Sequence, residues 1–226
     1  MTTLIKGFVF DLDGVITDTA RFHYQAWKKV AHDELGIDIN PAVNEKLKGV
    51  SRMDSLNVIL KFGGKENAYT DTEKREFATE KNDLYKSLIK QMTPADILPG
   101  ISNFLQAITK AGYPMSLASA SRNAPFIIER LELGEYFAAI VDPATLSKGK
   151  PDPEIFEKAA DLIHSPYADT VGLEDAVAGI EGIQRAGMFA VGVGKPEVLG
   201  KADILFPDTA HLDLAKIEAA FAEKRK

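Results

Sequence analysis

The alternation of short apolar runs with amphipathic segments restricts the fold more than any other feature of this sequence. From Leu98 onward, most apolar runs of strand length are followed by a segment with helical periodicity. These runs cover residues 115–120, 139–141, 170–173, 189–193 and 203–206, and an earlier one covers residues 4–10. Strands and helices that alternate in this way form a parallel sheet with right-handed crossovers. The sequence therefore predicts an α/β protein with a doubly wound, Rossmann-like parallel sheet.

A long helical stretch interrupts this alternation after the first strand. Between residues 22 and 91 apolar side chains recur at helical spacing, and the segments 51–62 and 72–91 are flanked by helix start or stop signals. The second of these segments carries an apolar stripe, made by Phe77, Leu84, Leu88 and Ile89. We therefore predict a core domain of residues 1–16 and 93–226, with an α-helical domain of residues 17–92 inserted into it.

Composition excludes several classes of protein. The net charge of −6 disfavours a nucleic-acid backbone as partner, because binding one needs a basic stripe. The absence of cysteine excludes disulfides, thiolate nucleophiles and zinc–thiolate sites. No apolar run approaches the roughly 20 residues that span a bilayer, and no basic-then-apolar leader precedes the first strand. We expect a soluble, cytoplasmic protein that binds neither nucleic acid nor membrane.

Two carboxylates follow the first apolar run, in the sequence Phe10-Asp11-Leu12-Asp13-Gly14. Successive side chains of an extended segment point to opposite faces, so Asp11 and Asp13 are expected to point the same way. Two like charges that converge repel each other unless a cation or a proton lies between them. Taken alone, the pattern is also typical of a solvated acidic turn. In an alternating α/β chain, however, the carboxyl ends of strands are the usual ligand sites.

Groups that can hold a phosphate follow two later strands. The end of the run at 115–120 and the residues after it carry hydroxyl, amide and guanidinium groups, on Ser119, Ser121, Arg122 and Asn123. A helix is predicted to begin there, and its N-terminus would add backbone N–H groups to an anion site, although the same residues could simply cap the helix. A later turn holds Lys148 and Lys150, for which a solvated loop is the alternative. Lys150 is preferred because Pro-Asp-Pro follows it directly.

Adjacent carboxylates, Glu174 and Asp175, follow the strand at 170–173. One acid would suffice to cap the next helix, so the second acid is less easily explained by capping. Together with Asp11 they bring three carboxylates to the same edge of the predicted sheet. Such a set of hard oxygen ligands suits Mg²⁺.

Taken together, these motifs resemble those of the haloacid dehalogenase-like phosphotransferases in order and spacing across nearly the whole chain. The run from Phe10 to Val15 resembles the first motif, Ser119 the second, Lys150 the third and residues 172–175 the fourth. Within the family the similarity is to a sugar-phosphate mutase, and it includes residues 19–27, 47–52, 81–82 and 118–121. The resemblance implies that the inserted helical domain is a cap over the α/β core.

The resemblance also implies roles for the charged residues of the core. Asp11 would be the nucleophile that forms an aspartyl phosphate, and Asp13 would be the general acid/base. Mg²⁺ would be held by Asp11, the main-chain carbonyl of Asp13, Glu174 and Asp175, and how directly Glu174 binds is left open. Ser119 and Lys150 would hold the transferring phosphate.

A second phosphate site and a set of cap residues are implied as well. The distal phosphate and the sugar would be bound by Arg52, Ser121, Arg122 and Asn123, with Lys48, Gly49 and Val50. The family often has lysine at the position of Arg122. The positive charge is the same in both residues, and the geometry with which Arg122 binds the phosphate is left open. Cap closure and proton control would involve Thr19, His23, Lys81 and Asn82, while Trp27 is interpreted as cap core rather than as a platform for a sugar.

The activity implied is interconversion of β-D-glucose 1-phosphate and β-D-glucose 6-phosphate. It would pass through the aspartyl-phosphate enzyme and β-glucose 1,6-bisphosphate, and the enzyme is expected to be a monomer. A sugar-phosphate phosphatase of the same family is the main alternative, because it shares the motif set and differs in how freely water attacks the phosphorylated Asp11. A non-catalytic phosphosugar-binding module is disfavoured, because such a module has no need of Asp13.

Overall fold

A computed structural model describes residues 5–47 and 52–225 of the chain. The described residues form two compact units, one reaching to Asp18 and resuming at Thr93, the other spanning Thr19–Met92. The first unit is the α/β core and the second is the inserted helical unit. Among the described residues, no helix combines the length and hydropathy that crossing a membrane requires.

A six-stranded parallel sheet forms the centre of the core unit. Its strands are β1 (Gly7–Phe10), β2 (Met115–Leu117), β3 (Ala139–Ile140), β4 (Thr170–Glu174), β5 (Phe189–Val193) and β6 (Ile204–Phe206). Their spatial order is β3-β2-β1-β4-β5-β6, and each neighbouring pair is parallel. The predicted doubly wound sheet is therefore confirmed. Its order places β1 and β4 side by side where the direction of winding reverses, which is the usual ligand position in such sheets.

The inserted unit contains four helices among its described residues. They are α1 (Ala20–Asp33), α2 (Pro41–Glu45), α3 (Arg52–Phe62) and α4 (Asp71–Ile89). Thr70 begins α4 with a capping box, in which its side chain accepts from the backbone N–H of Glu73 while the Glu73 side chain accepts from the N–H of Thr70. The apolar side chains of the unit pack into one cluster around Trp27, Leu56 and Ile59.

Helices of the core unit cover the sheet. They are α5 (Ile101–Lys110), α6 (Ala124–Arg130), α7 (Glu154–Leu162), α8 (Val177–Arg185), α9 (Pro196–Leu199) and α10 (Leu214–Lys224). Strand β1 is fully buried because it lies in the middle of the sheet. The close approach of α8 to the sheet depends on Gly172 in β4, where an added Cβ would lie 2.7 Å from Ile183 on α8.

The first boundary between the units differs from the prediction by two residues. Thr17 and Asp18 belong to the core unit rather than to the inserted one. Thr17 is held there because its Oγ1 donates a hydrogen bond to the carbonyl of Asp96, at 2.7 Å, and because its backbone bridges to Asp13 and Ile97.

The apolar stripe predicted for α4 is only partly the buried face. Ile89 is buried, but Phe77, Leu84 and Leu88 are half-buried. The residues that α4 buries are Ala78, Lys81, Tyr85 and Ile89, which follow one another at spacings of three or four along one face. A lysine therefore occupies a position that the hydrophobic pattern alone assigns to apolar residues.

Candidate active site

Register in the sheet brings the two acidic motifs of the core together. Phe10 of β1 pairs with Leu173 of β4, and the N–H of Asp11 donates to the carbonyl of Leu173 at 3.0 Å. Asp11 and Glu174 therefore leave adjacent strands at the same edge of the sheet. Both are buried, with 8% and 2% of the residue exposed.

Lys150 joins these two carboxylates. Its Nζ lies 2.6 Å from Oδ1 of Asp11 and 2.6 Å from Oε1 of Glu174. Its side chain, only 15% exposed, also lies over the ring of Phe156, with Nζ 4.9 Å from the centroid. Lys148, in contrast, pairs with Asp152 at 3.4 Å on the surface. Of the two candidate lysines, the geometry brings Lys150 to the carboxylates.

Glu174 is held in place at both of its oxygens. While Oε1 accepts from Lys150, Oε2 accepts from the backbone N–H groups of Asp175 and Ala176, at 2.8 and 2.9 Å. The start of α8 packs tightly against this side chain, because a Cβ on Gly179 would lie 2.0 Å from its carboxylate. These bonds allow Glu174 to orient Lys150 and the backbone at Asp175. The sequence resemblance left open how directly Glu174 would bind a metal.

Negative charge accumulates at this edge of the sheet. Burial raises the pKa of Asp11, and the charges of Glu174 and Asp13 raise it further, whereas Lys150 lowers it. Burial lowers the pKa of Lys150, but the carboxylates of Asp11 and Glu174 overcome this and raise it above its usual value. Because Asp13 contributes to the repulsion at Asp11, the two acids of the first motif act on the same site.

A cation would relieve this repulsion. Asp11, Glu174 and Asp175 each offer an oxygen, and these atoms lie within 4.8 Å of one another. Asp175 is exposed, so a hydrated ion can reach it. Gly14 follows Asp13 with a φ of +76°, and a Cβ there would lie 2.0 Å from Oδ2 of Asp175. The donor set consists of hard oxygens and fits Mg²⁺, which prefers carboxylate and water ligands.

The residues after β2 form a tight polar turn beside β1. The N–H of Ala118 donates to the carbonyl of Phe10 at 2.7 Å, so the buried Ser119 follows immediately. Oγ of Ser119 accepts from the N–H of Ser121 at 3.1 Å, and Oγ of Ser121 accepts from the N–H of Asn123 at 3.2 Å. Arg122, the basic side chain of this turn, is exposed.

The inserted unit has its own polar cluster, in which Lys81 is the central group. Nζ of Lys81 lies 2.6 Å from Nδ1 of His23 and 5.1 Å from the ring centroids of both Trp27 and Tyr85. As an ammonium, Lys81 can only donate, so in that form Nδ1 of His23 accepts and the ring proton is assigned to Nε2. The His23 ring stacks on Tyr85 with centroids 4.0 Å apart.

Burial and nearby positive charge lower the pKa of both Lys81 and His23. Burial, followed by the charge of Arg52, lowers the pKa of Lys81 from 10.5 to about 7. Packing of the ring and the charges of Lys81 and Arg52 lower the pKa of His23. His23 is exposed to solvent as a residue, which weakens the effect of burial there. The positive charges of Lys81 and Arg52 act in the same direction as burial, so they favour the neutral imidazole.

The side chain of Asn82 forms its hydrogen bond with Arg52 rather than with the His23–Lys81 pair. Its Oδ1 accepts from Nη2 of Arg52 at 2.7 Å, which joins the start of α3 to α4. Thr19 precedes α1, where its carbonyl accepts from the N–H groups of Phe22 and His23. The other predicted residues of this group, Lys48, Gly49 and Val50, lie outside the described residues.

Sequence reasoning missed two residues that shape these clusters. The apolar stripe predicted for α4 does not include Tyr85, although Tyr85 lies four residues after Lys81 and therefore on the same face of the helix. Gly179 lies in the helix after Asp175, and no local feature of the sequence indicates its close approach to Glu174. The interpretation of Trp27 as cap core agrees with its 3% exposure, and the ring also lies beside the Lys81 amine.

The sheet and its carboxylate cluster define the haloacid dehalogenase-like class of α/β enzymes. The chain matches the haloacid dehalogenase-like hydrolase family over residues 5–187 and belongs to it. It is similar in particular to a β-phosphoglucomutase of Bacillus subtilis, with 47% identity over 98% of this chain and 97% of that protein.

Two further comparisons bear on the particular relationship. A crystal structure of β-phosphoglucomutase from Clostridium difficile matches with a TM-score of 0.88 and 44% identity, covering 98% of this chain and 99% of that one. A phosphorylated carbohydrates phosphatase of Thermotoga maritima is 25% identical over 81% of this chain and 82% of that protein. The similarity to the two β-phosphoglucomutases is higher and more complete.

Proposed function

We propose that this protein is a β-phosphoglucomutase, which interconverts β-D-glucose 1-phosphate and β-D-glucose 6-phosphate through β-glucose 1,6-bisphosphate. The observation that carries the proposal is that the similarity to β-phosphoglucomutases extends over nearly the whole chain and so includes both units. The core unit has the carboxylates for phosphoryl transfer, and the inserted unit has Arg52, a cation that a simple phosphatase does not need.

Asp11 would attack the phosphorus atom and carry the phosphoryl group transiently. Its oxygen forms the new P–O bond while the bond from phosphorus to the leaving oxygen breaks, and the reverse transfer to the second sugar hydroxyl restores the carboxylate. The nucleophile must be ionised, yet burial raises its pKa. Lys150, 2.6 Å away, favours the ionised form and would balance the charge of the incoming phosphate.

Asp13 would move the proton in each half-reaction. It would protonate the departing sugar oxygen, and it would take the proton from the attacking hydroxyl in the return step. A proton at a carboxyl group at neutral pH requires neighbours that favour the neutral form, and Asp13 lies in the negative field of the same carboxylates. Ser119 would donate a hydrogen bond to the transferring phosphate.

Mg²⁺ is the metal that we propose for this site. Asp11, Asp175 and the main-chain carbonyl of Asp13 would hold the ion, with Glu174 oriented by its three hydrogen bonds. Bound there, the ion would neutralise the charge of the phosphate oxygens. The tight packing of Gly14 and Gly179 against Asp175 and Glu174 fixes these carboxylates relative to Asp11.

A mutase also needs a ligand for the phosphate that is not being transferred. Arg52 would bind this phosphate through its guanidinium fork, with Ser121, Arg122 and Asn123 on the core unit. Hydrogen bonding to Asn82 orients the guanidinium before any ligand is present. Such an anchor distinguishes a bisphosphate that rebinds in the opposite orientation from a monophosphate that is only hydrolysed.

Product analysis tests the proposal against the phosphatase alternative. The protein is incubated with β-glucose 1-phosphate, a trace of β-glucose 1,6-bisphosphate and Mg²⁺, and the products are followed by phosphorus NMR. We expect glucose 6-phosphate to accumulate and an Asp11→Asn variant to be inactive. Inorganic phosphate as the main product, or full isomerase activity in the variant, would overturn the proposal.

A further inference from the structure

Two hydrogen-bonded pairs bring basic side chains together on three helices of the inserted unit. Arg52 on α3 bonds to Asn82 on α4, and the residue before Asn82 is Lys81, whose amine lies 2.6 Å from Nδ1 of His23 on α1. The guanidinium that Asn82 holds is near enough for its charge to act on the buried Lys81 amine. Because like charges repel, the guanidinium of Arg52 favours the neutral form of the Lys81 amine.

The surroundings of the Lys81 amine bring its pKa close to neutral pH. Only 3% of the residue is exposed. The rings of Trp27 and Tyr85, each 5.1 Å away, favour the ammonium form. Burial and the charge of Arg52 oppose it, and they lower the pKa of Lys81 to about 7.

The groups that act on the amine come from each helix packed against it. Arg52 approaches from α3, and His23, as a neutral acceptor, from α1. The phenol of Tyr85 lies on the same helix as Lys81. Of these groups, Arg52 is the one whose charge a ligand can cancel, because a phosphate dianion is the natural partner of a guanidinium.

We infer that a phosphate bound by Arg52 causes the Lys81–His23 pair to take up a proton from bulk water, so that occupancy of the distal phosphate site sets the charge of the pair. The only bond formed is an N–H bond at Nζ of Lys81, and His23 remains the acceptor. Without the anion, the neutral amine avoids repulsion by Arg52. With the anion bound, the ammonium strengthens its hydrogen bond to Nδ1 of His23.

The inference deepens the proposed function and rests on its assignment of Arg52 to the distal phosphate. It connects that phosphate to His23 and Lys81, two of the four residues that sequence resemblance associates with cap closure and proton control. Proton uptake by the pair would then occur when a sugar phosphate is bound, and not in the empty enzyme.

The test is an NMR titration of the full-length protein labelled at the Cε of lysine, in EDTA so that no turnover occurs. The Lys81 signal is assigned by its loss in Lys81→Arg. We expect a midpoint near 7 in the wild type and an upward shift of about one unit in Arg52→Gln, because the variant removes a like charge. Arg52→Lys, which keeps the charge, should leave the midpoint nearly unchanged.

Glucose 6-phosphate is then added to the wild type and to Arg52→Gln. We expect it to raise the midpoint in the wild type by about one unit and to have little effect in the variant. An unchanged midpoint in Arg52→Gln, or an equal ligand effect in both proteins, overturns the coupling. The ligand titration of the wild type needs no variant, and because it involves no catalysis, its failure is separable from a failure to isomerise glucose phosphates.

Discussion

Replacing Lys81 by methionine should stabilise the inserted unit at neutral pH and destabilise it at pH 10. Methionine matches the length and shape of the lysine stem and can fill the space between Trp27 and Tyr85 without a charge. The substitution removes the cost of burying an ammonium group. It also removes the donor to His23 and the contact of the amine with the two rings.

The expected magnitude follows from the pKa of Lys81. Its fall from 10.5 to about 7 means that the unfolded chain binds more protons than the folded one between these values, so stability rises with pH across that window. At about 1.4 kcal/mol per unit, the penalty is roughly 4 kcal/mol at pH 7 and roughly 1 kcal/mol at pH 10. The variant also leaves Nδ1 of His23 without its hydrogen bond to Lys81, which costs about 2 kcal/mol at either pH. The variant should therefore be about 2 kcal/mol more stable at pH 7 and about 1 kcal/mol less stable at pH 10.

Urea unfolding measures this difference directly. Trp27 is the one tryptophan of the chain, so its fluorescence reports on the inserted unit. Lys86→Met is the matched control, because Lys86 lies on the same helix with 51% of its side chain exposed. The control should change the free energy of unfolding little and equally at both pH values. A Lys81→Met effect of the same sign and size at pH 7 and pH 10 would refute the reasoning.

Three further predictions concern the core unit. Asp13→Asn should keep ligand binding, measured by calorimetry, while turnover falls about 10²- to 10⁴-fold; wild-type turnover would remove its acid/base role. Gly179→Ala should destabilise the protein by about 1–3 kcal/mol in urea unfolding and reduce turnover, because the new Cβ meets Glu174 at 2.0 Å. The control Gly134→Ala, where nothing lies within 4 Å of the new Cβ, should change neither stability nor turnover. Mg²⁺ should raise the melting temperature of the wild type and have a much smaller effect on Asp175→Asn; an equal rise in both would exclude Asp175 as a ligand.

Much of the core could be predicted because its signals are local. Buried strands in a parallel sheet are continuous apolar runs, and amphipathic helices repeat every three or four residues, so both patterns are visible in short windows. The acids of the site are also visible, because they directly follow strands at Asp11 and Glu174. Their proximity follows from the general rule that carboxyl ends of parallel strands share an edge.

The inserted unit was less predictable, because its important contacts join distant segments. On α4 the hydrophobic pattern indicated Phe77 and Leu84 as the packed residues, and it gave no sign that Lys81 is buried. Burial of a lysine depends on partners that are not its neighbours in sequence, here His23 and Trp27 on α1. The contact of Asn82 with Arg52 likewise spans 30 positions.

The order of strands, helices and acidic motifs in this protein is determined by the sequence read in short segments, since each depends on neighbours a few residues apart. Tertiary structure decides which charges face each other. Lys150 reaches Asp11 across 139 positions, and the charge of Arg52 reaches Lys81 only because α3 and α4 pack together. Electrostatic energy depends on distance in space and on burial, so the ionisation states on which the chemistry depends are set only when the chain has folded.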